Sequence, residues 1–306
     1  MKINHKQFMD NSLLILTFWY LFIPTSIIGF GLILQKIFYK EVSEFNFGYA
    51  GIFGITFLII YSYFTNFFFS HSKIHNLILL IIGLLLFIYF TLTYRNKNYK
   101  NQIILLFVNL SILFIGLIIF KNHDDFIYYH FPYTYLLTQN ELIIGLGNLG
   151  HGFRTQSSIF YLNSLFYLPQ VEFFLFNLGA ILILCFSNLI LLQNIFKNFY
   201  LKKKEQNYDF YKYLSLFFFI FINIFFYRIA EHGTDRSAQI LIFILFIEMI
   251  YFLNINKIDT KNFIHIFLIL GLIISLKAFY ILYLILFFPI LIHLFKIKKN
   301  LKKIID

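Results

Sequence analysis

Two short stretches of this sequence hold residue types that can move a proton or bind a phosphate. The first is "HDDFIYYHFPY" (123–133), in which Asp124 and Asp125 directly follow the uncharged apolar run "LLFVNLSILFIGLIIF" (105–120). A positioned carboxylate can take or orient the proton of an acceptor hydroxyl, and paired carboxylate oxygens suit a divalent cation. The alternative is that the two charges only end and solvate a helix.

The second stretch is "YRIAEHGTDRSAQ" (227–239), a short and densely charged segment between two apolar runs. It contains Arg228, Glu231, His232, Asp235 and Arg236. Arginines beside carboxylates suit a phosphate-bearing ligand, because guanidinium groups bind phosphate oxygens in pairs. We therefore expect Glu231 and Asp235 to act with Asp124 and Asp125, and Arg228, Arg236 and His232 to bind substrate. The alternative is helix capping by Thr234 or Asp235 together with solvation.

Lys277 is the third such feature, because it lies within the apolar stretch 263–295. A lysine inside an apolar segment is costly in a membrane and suggests a functional role. It could instead extend its ammonium group to the interface at a turn in "SLKAF" (275–279). His130 and Arg154 are further candidates for substrate binding, and Glu248 is expected to face protein.

Metal and nucleotide motifs are weak in this chain. "GLGNLG" (145–150) matches GxGxxG in letters, but no strand–helix unit surrounds it, so the sequence predicts a flexible turn. His130, His151 and His232 lack the close spacing of metal-binding motifs. The remaining candidate for a metal site is Mg or Mn bound by Asp124 and Asp125. The single cysteine, Cys185, excludes an intrachain disulfide.

The composition indicates a membrane protein. Of the 306 residues, 60% are hydrophobic and 13% are charged, whereas a soluble domain is about a quarter charged. The net charge of +11 comes from lysines at the ends of apolar runs, where membrane topology accounts for them. We therefore expect a lipid bilayer as a partner and no nucleic acid.

The apolar segments predict an all-α, polytopic transmembrane helical bundle of about 8–9 spans within one domain, 1–306. They lie at 12–35, 46–70, 76–94, 102–120, 171–196, 213–228, 238–254 and 263–295. The basic stretches "KNFYLKKKEQ" (197–206) and "KIKKNLKK" (296–303) are expected to be cytoplasmic. Residues 1–120 then hold the N-terminal spans, 121–170 an outer loop with interfacial helices, and 171–306 the C-terminal spans and basic tail.

Three stretches resemble the GT-C superfamily of membrane glycosyltransferases, over about residues 100–295. "DDFIYYHFPY" is similar to its acidic first-loop motif, "GTDRSAQILIFILF" to a helix start in protein mannosyltransferase-like and aminoarabinose-transferase-like members, and "SLKAFYILYLILFFP" to its lysine-bearing hairpin. The resemblance implies sugar transfer from a polyprenyl-phosphate donor on the outer face of a bacterial cytoplasmic membrane. It implies Asp124 or Asp125 as base, and Arg228, Arg236 or Lys277 as phosphate ligands.

This chain departs from the GT-C pattern in two ways. About four apolar segments precede the acidic pair, where members usually have one, and members are usually longer. A truncated or divergent member is therefore expected. The other function classes are a transporter or flippase for a lipid-linked or polar solute, an O-antigen polymerase or ligase type of enzyme, and a non-enzymatic membrane assembly protein. A transporter predicts charged residues inside the spans and interrupted helices.

Overall fold

The structure, a computed structural model, describes residues 5–39, 46–94, 97–118, 125–200, 208–226, 234–254 and 260–305. This part of the chain is an all-helical bundle without a β-sheet, in which only an isolated β-bridge joins Leu168 and Glu172. The α-helices are α1 (His5–Phe38), α2 (Phe47–Asn66), α3 (Lys73–Thr93), α4 (Lys97–Ile118), α5 (Phe131–Gln139), α6 (Ser158–Ser164), α7 (Leu178–Tyr200), α8 (Tyr208–Phe225), α9 (Asp235–Asn254), α10 (Thr260–Leu276) and α11 (Phe287–Ile305).

Shorter helical turns connect several of these helices. A π-helical turn, Phe126–His130, leads directly into α5, and 3₁₀ turns lie at Leu146–Asn148, His151–Arg154, Phe173–Leu175 and Ala278–Leu286. The predicted all-α class is therefore confirmed for the described residues. The helix starts also follow local rules, since the side chain of Asn46 accepts a hydrogen bond from the Tyr49 backbone N–H at the start of α2.

Seven helical segments of the described chain are long and apolar enough to cross a membrane, which indicates an integral membrane protein. They are Ser12–Phe38, Phe47–Asn66, Lys73–Thr93, Tyr99–Ile118, Phe173–Phe196, Asp235–Asn254 and Ala278–Ile297. The predicted count of about 8–9 spans needs one or two more helices than these seven. The shorter apolar helix Lys261–Leu276 and α8 are the elements that could supply them.

Small residues bring the N-terminal helices into backbone contact. A Cβ added at Gly54 of α2 would overlap the Ile27 carbonyl oxygen of α1, and one added at Gly51 would overlap the Phe186 ring of α7. Close helix approach at small residues is typical of helix packing in membranes. Helix α7 is the most enclosed candidate span, with 89% of its apolar window buried. It lies at the centre of the bundle.

The helix ends sort into two opposite ends of the bundle, which we call the loop end and the basic end. At the loop end, the Asn66 side chain at the end of α2 donates to the Asn140 carbonyl (3.2 Å), and the Ser157 hydroxyl donates to the Leu276 carbonyl of α10 (2.6 Å). At the basic end, the Tyr39 hydroxyl after α1 lies 2.6 Å from the His265 ring of α10. Consecutive long helices thus run in alternating directions.

The predicted interruption at Lys277 is confirmed. Helix α10 ends at Leu276, and Lys277 is extended (φ −152°, ψ 116°) before the 3₁₀ turn that follows. The ring centroids of Phe267 and Phe287 lie 4.6 Å apart although these residues flank Lys277 at equal distance along the chain. The chain therefore reverses direction at Lys277, and the apolar stretch 263–295 is a helical hairpin.

The segment between α4 and α7 differs from the predicted interfacial helices, which are expected to lie along the membrane surface. All residues of α6 are buried, so the run "SSIFYLNSLFYLP" lies inside the loop end of the bundle. Its polar groups are satisfied there, because the Ser158 hydroxyl donates to the Ser275 carbonyl (2.8 Å) and the Ser62 hydroxyl of α2 donates to the Tyr161 carbonyl (3.0 Å). Its apolar rings pack on α2 and α5 instead of facing outward.

Candidate functional site

An ion pair between Asp235 and Lys277 lies at the centre of the loop end. The Lys277 ammonium nitrogen is 2.8 Å from Asp235 Oδ2. Asp235 is the first residue of α9 and Lys277 is the reversal point after α10, so the packing of these two helices sets the distance. Both side chains are accessible, with 44% exposure for Asp235 and 38% for Lys277. A ligand can therefore reach either charge without unfolding of the bundle.

Tyr129 connects this pair to the acidic segment. Burial raises the pKa of Tyr129, and the negative charges of Asp125 and Asp235 raise it further. Both carboxylates thus lie within electrostatic range of one phenol, although they come from different loops. This common neighbour is in line with the expectation that Asp125 and Asp235 act together, which stays a prediction. Asp125 is itself exposed at the start of the π-helical turn.

Arg236 is oriented by an aromatic ring. Its guanidinium carbon lies 5.3 Å from the centre of the Phe226 ring, which is the last described residue after α8. Stacking of this kind holds a planar guanidinium in a fixed direction while its N–H groups stay able to donate. Arg236, the next residue of α9, and Lys277, at the reversal after α10, therefore provide two cations near Asp235.

His130 lies deeper than a surface ligand would. Its ring packs edge-on against Tyr129 (4.3 Å between centroids) and beside Phe160 (5.1 Å), and it is 9% exposed. It lines a small cavity whose polar lining residues include Asn163, Asn177 and Thr234. Thr234 directly precedes Asp235, so the cavity lies immediately beneath the ion pair. His130 is thus placed to support the site from below.

Arg154 lies on the rim of this site. Its side-chain Nε donates to the Gly147 carbonyl over 3.3 Å, within the "GLGNLG" stretch. Gly145 has φ +85°, and a 3₁₀ turn follows it, so this stretch is a turn as predicted. The neighbouring Gly152 packs against the Tyr129 ring so closely that an added Cβ would overlap it. Arg154 therefore belongs to the segment that covers Tyr129.

His71 fixes the site segment to the helices, and the sequence interpretation missed it. Its Nδ1 lies 2.7 Å from the Ser164 hydroxyl, its Nε2 lies 3.2 Å from the Ser62 carbonyl, and its backbone N–H donates to the Leu137 carbonyl. These bonds join α2, α5 and α6 through one residue, whose ring reaches α2 and α6 and whose backbone N–H reaches α5, and its side chain is fully buried. Burial, assisted by the nearby His75, lowers the pKa of His71 to about 4. Its place between two apolar segments was the signal available in the sequence.

Four of the predicted site residues lie outside the described residues: Asp124, Arg228, Glu231 and His232. Their roles remain predictions, as does a Mg or Mn site at Asp124 and Asp125. In the described part of the chain, no group of three or more His, Cys, Asp or Glu side chains could hold a metal ion.

A second polar cluster, which the sequence interpretation did not assemble, lies at the basic end. Glu248 of α9 accepts a hydrogen bond from the Tyr49 hydroxyl of α2, and its other oxygen lies 3.3 Å from His265 Nδ1 of α10. His265 Nε2 lies 2.6 Å from the Tyr39 hydroxyl. Glu248 is 7% exposed, which confirms that it faces protein. The isolated glutamate in the run 238–254 was the one signal in the sequence.

Comparison with known proteins gives a family for this chain. Residues 12–305 match the family model described as "Domain of unknown function (DUF8201)", and the chain belongs to that family. No curated protein and no solved structure matches the chain.

Proposed function

We propose that this protein is a GT-C-type membrane glycosyltransferase, which transfers a sugar from a polyprenyl-phosphate donor to an acceptor hydroxyl. The observation that supports this most is the Asp235–Lys277 pair beside Tyr129 and Asp125, because it joins carboxylates and a cation at one accessible place. In this proposal Asp125 or Asp124 takes the acceptor proton, and Lys277 and Arg236 bind the departing phosphate.

The geometry suits such a division of roles. An exposed ion pair contributes no more than about 1 kcal/mol, so a phosphate can replace Asp235 as the partner of Lys277 at little cost. Asp235 meanwhile holds the ammonium group in place before the donor binds. In this proposal His130, Arg154, Arg228, Glu231 and His232 would complete the substrate contacts, and a divalent cation at Asp124 and Asp125 would assist phosphate departure.

The alternation of the helices supports one arrangement of the chain in the membrane. We place the loop end on the outer face of a bacterial cytoplasmic membrane, with about 8–9 spans in total. The lysine-rich stretches 197–206 and 296–303 then lie in the cytoplasm, in line with the positive-inside tendency. A lipid-linked donor would reach the Lys277 ammonium from the bilayer.

The test is sugar transfer by the full-length chain in proteoliposomes, with a panel of radiolabelled polyprenyl-phosphate hexoses and a crude envelope fraction as acceptor. We expect Asp125→Asn to lose at least about 100-fold in transfer, the usual scale for an acid–base group. Asp235→Asn should lose less, because Asp235 only positions the Lys277 ammonium. Glu141→Gln is the matched control, because Glu141 is an exposed carboxylate of the same loop. Equal activity of all three variants, or no transfer by the parent chain from any donor, would contradict the proposal.

A transporter is the second candidate, and the buried cluster around Glu248 favours it. A carboxylate and an imidazole hydrogen-bonded inside a helical bundle are the groups that proton-coupled transporters use. The same proteoliposomes distinguish the two functions when they are loaded with the lipid-linked sugar. A transporter would lose translocation in Glu248→Gln and keep it in Asp125→Asn, whereas a glycosyltransferase would show the opposite order for transfer.

A further inference from the structure

A groove at the basic end lies outside both polar clusters. It runs between the last turn of α9 and the first half of α11 and has a volume of about 420 Å³. Its lining residues are Leu253, Phe288, Pro289, Ile292, His293 and Lys296. Four of them are apolar. The other two, His293 and Lys296, have nitrogen in their side chains and lie together toward one end of the groove. The volume is within the range of about 300–1,000 Å³ that ligand pockets usually have.

The groove has a defined level in the bundle. The ring centroids of His293 and Phe252 lie 5.6 Å apart, so His293 is level with the end of α9. Lys296 comes one turn further along α11, at the basic end, whereas Phe288 lies about 12 Å closer to the middle of the bundle at 1.5 Å per residue. The apolar part thus extends inward from a cation at the end.

No helix of the described part of the chain covers the outer wall of the groove. Phe288 is 65% exposed and Ile292 is 55% exposed, and Lys296 is exposed as well. The part of the lining that carries charge is cationic, with no carboxylate among the six residues. The sequence continues after Lys296 with four more lysines within α11, at 298, 299, 302 and 303. The surroundings therefore favour an anion at this level.

We propose that this groove binds one molecule of an anionic phospholipid. An acyl chain would lie along Phe288, Pro289 and Ile292, and the phosphate would contact the Lys296 ammonium and the His293 ring. An apolar groove that ends at an exposed cation matches a lipid in polarity. Basic pockets between helices on the cytoplasmic side of a membrane bind anionic headgroups for the same reason. The proposal does not depend on the function proposed above.

The test is native mass spectrometry of the full-length chain, extracted in detergent and titrated with phosphatidylglycerol or phosphatidylcholine of the same acyl chains. We expect the first phosphatidylglycerol to bind more tightly than phosphatidylcholine. Lys296→Ala should weaken it about fivefold, the contribution of one lysine near an anionic group. Ile292→Trp should also weaken it, since the indole would fill the groove without a change of charge.

Lys100→Ala is the matched control, because Lys100 is exposed at the basic end on α4, which packs on α7 and does not line the groove. It should leave the first phosphatidylglycerol bound as in the parent chain. An equal loss in Lys100→Ala would show diffuse attraction to the whole basic end and would overturn the proposal. Equal binding of the two lipids would also overturn the proposal. A Lys296→Ala variant that changes only the oligomeric state would overturn it too, because a second copy of the chain would then occupy the groove.

Discussion

Lowering the pH from 7 to 5 should destabilise this protein through His71. His71 is neutral in the folded chain because burial lowers its pKa from 6.5 to about 4. As the pH falls, the unfolded chain takes up a proton at this residue before the folded chain does, which favours unfolding. The stabilisation that His71 contributes is therefore complete above pH 6.5 and is lost as the pH falls toward 4.

The magnitude follows from the two pKa values. The difference between 6.5 and about 4 corresponds to about 3 kcal/mol when it is fully expressed, of which about 2 kcal/mol is lost by pH 5. Each kcal/mol lowers the melting temperature of a large domain by about 2–4 °C. His71 alone should thus account for a decrease of about 4–8 °C between pH 7 and pH 5.

The assay is thermal unfolding in detergent, followed by circular dichroism at pH 7, 6 and 5. His71→Asn should be less stable than the parent at pH 7, because the bonds to Ser164 and Ser62 are weakened. Its melting temperature should nevertheless fall about 4–8 °C less over this pH range. His151→Asn, at an exposed histidine of the same loop end, should follow the parent. A His71→Asn variant with the pH dependence of the parent would refute the reasoning.

Three further variants test how the bundle is held together, each by its melting temperature and its yield of folded protein. Tyr49→Phe removes a donor from the buried carboxylate of Glu248 and should cost about 1–3 kcal/mol, whereas an unchanged melting temperature would exclude that bond. Asn188→Leu breaks the paired amide bonds to Asn223 between α7 and α8 and should lower the free energy of unfolding by about 1–2 kcal/mol. Adding Asn223→Leu to this variant should cost no further stability, because the bonds are already lost. Gly54→Leu should abolish folding, since no space exists between α1 and α2 for a side chain, and a stable variant would contradict this packing.

The helices and the reversal at Lys277 could be predicted because each leaves a local signal in the sequence. An apolar run of about 20 residues indicates a helix whatever its neighbours are. A lysine halfway along a run that is too long for one helix indicates a break, and the structure has its extended residue there. Asp235 could be assigned to the same side for a similar reason, since alternation of the helices fixes the end at which each one starts.

The burial of α6 and the contacts of His71 could not be predicted in this way. Both depend on which helices become neighbours, and hydropathy does not contain this information. In the sequence, Ser158 and Ser164 look like ordinary polar residues of a loop. Their hydrogen bonds to α10 and to His71 form only because the fold makes these elements neighbours. The cluster around Glu248 has the same origin, because its four members come from positions as far apart as Tyr39 and His265. A single sequence cannot indicate such pairs.

The Asp235–Lys277 and Glu248–His265 pairs differ in how deeply they are buried. Asp235 and Lys277 are 44% and 38% exposed, so the loss of either charge removes no more than about 1 kcal/mol of stability. Glu248 and His265 are almost fully buried, and removal of one partner leaves a buried polar atom of the other without its hydrogen bond, at about 1–3 kcal/mol. A loss of transfer in Asp235→Asn can therefore be assigned to chemistry, since the fold should survive. A loss of transfer in Glu248→Leu could not be assigned to chemistry in this way, because that variant should have a melting temperature below that of the parent.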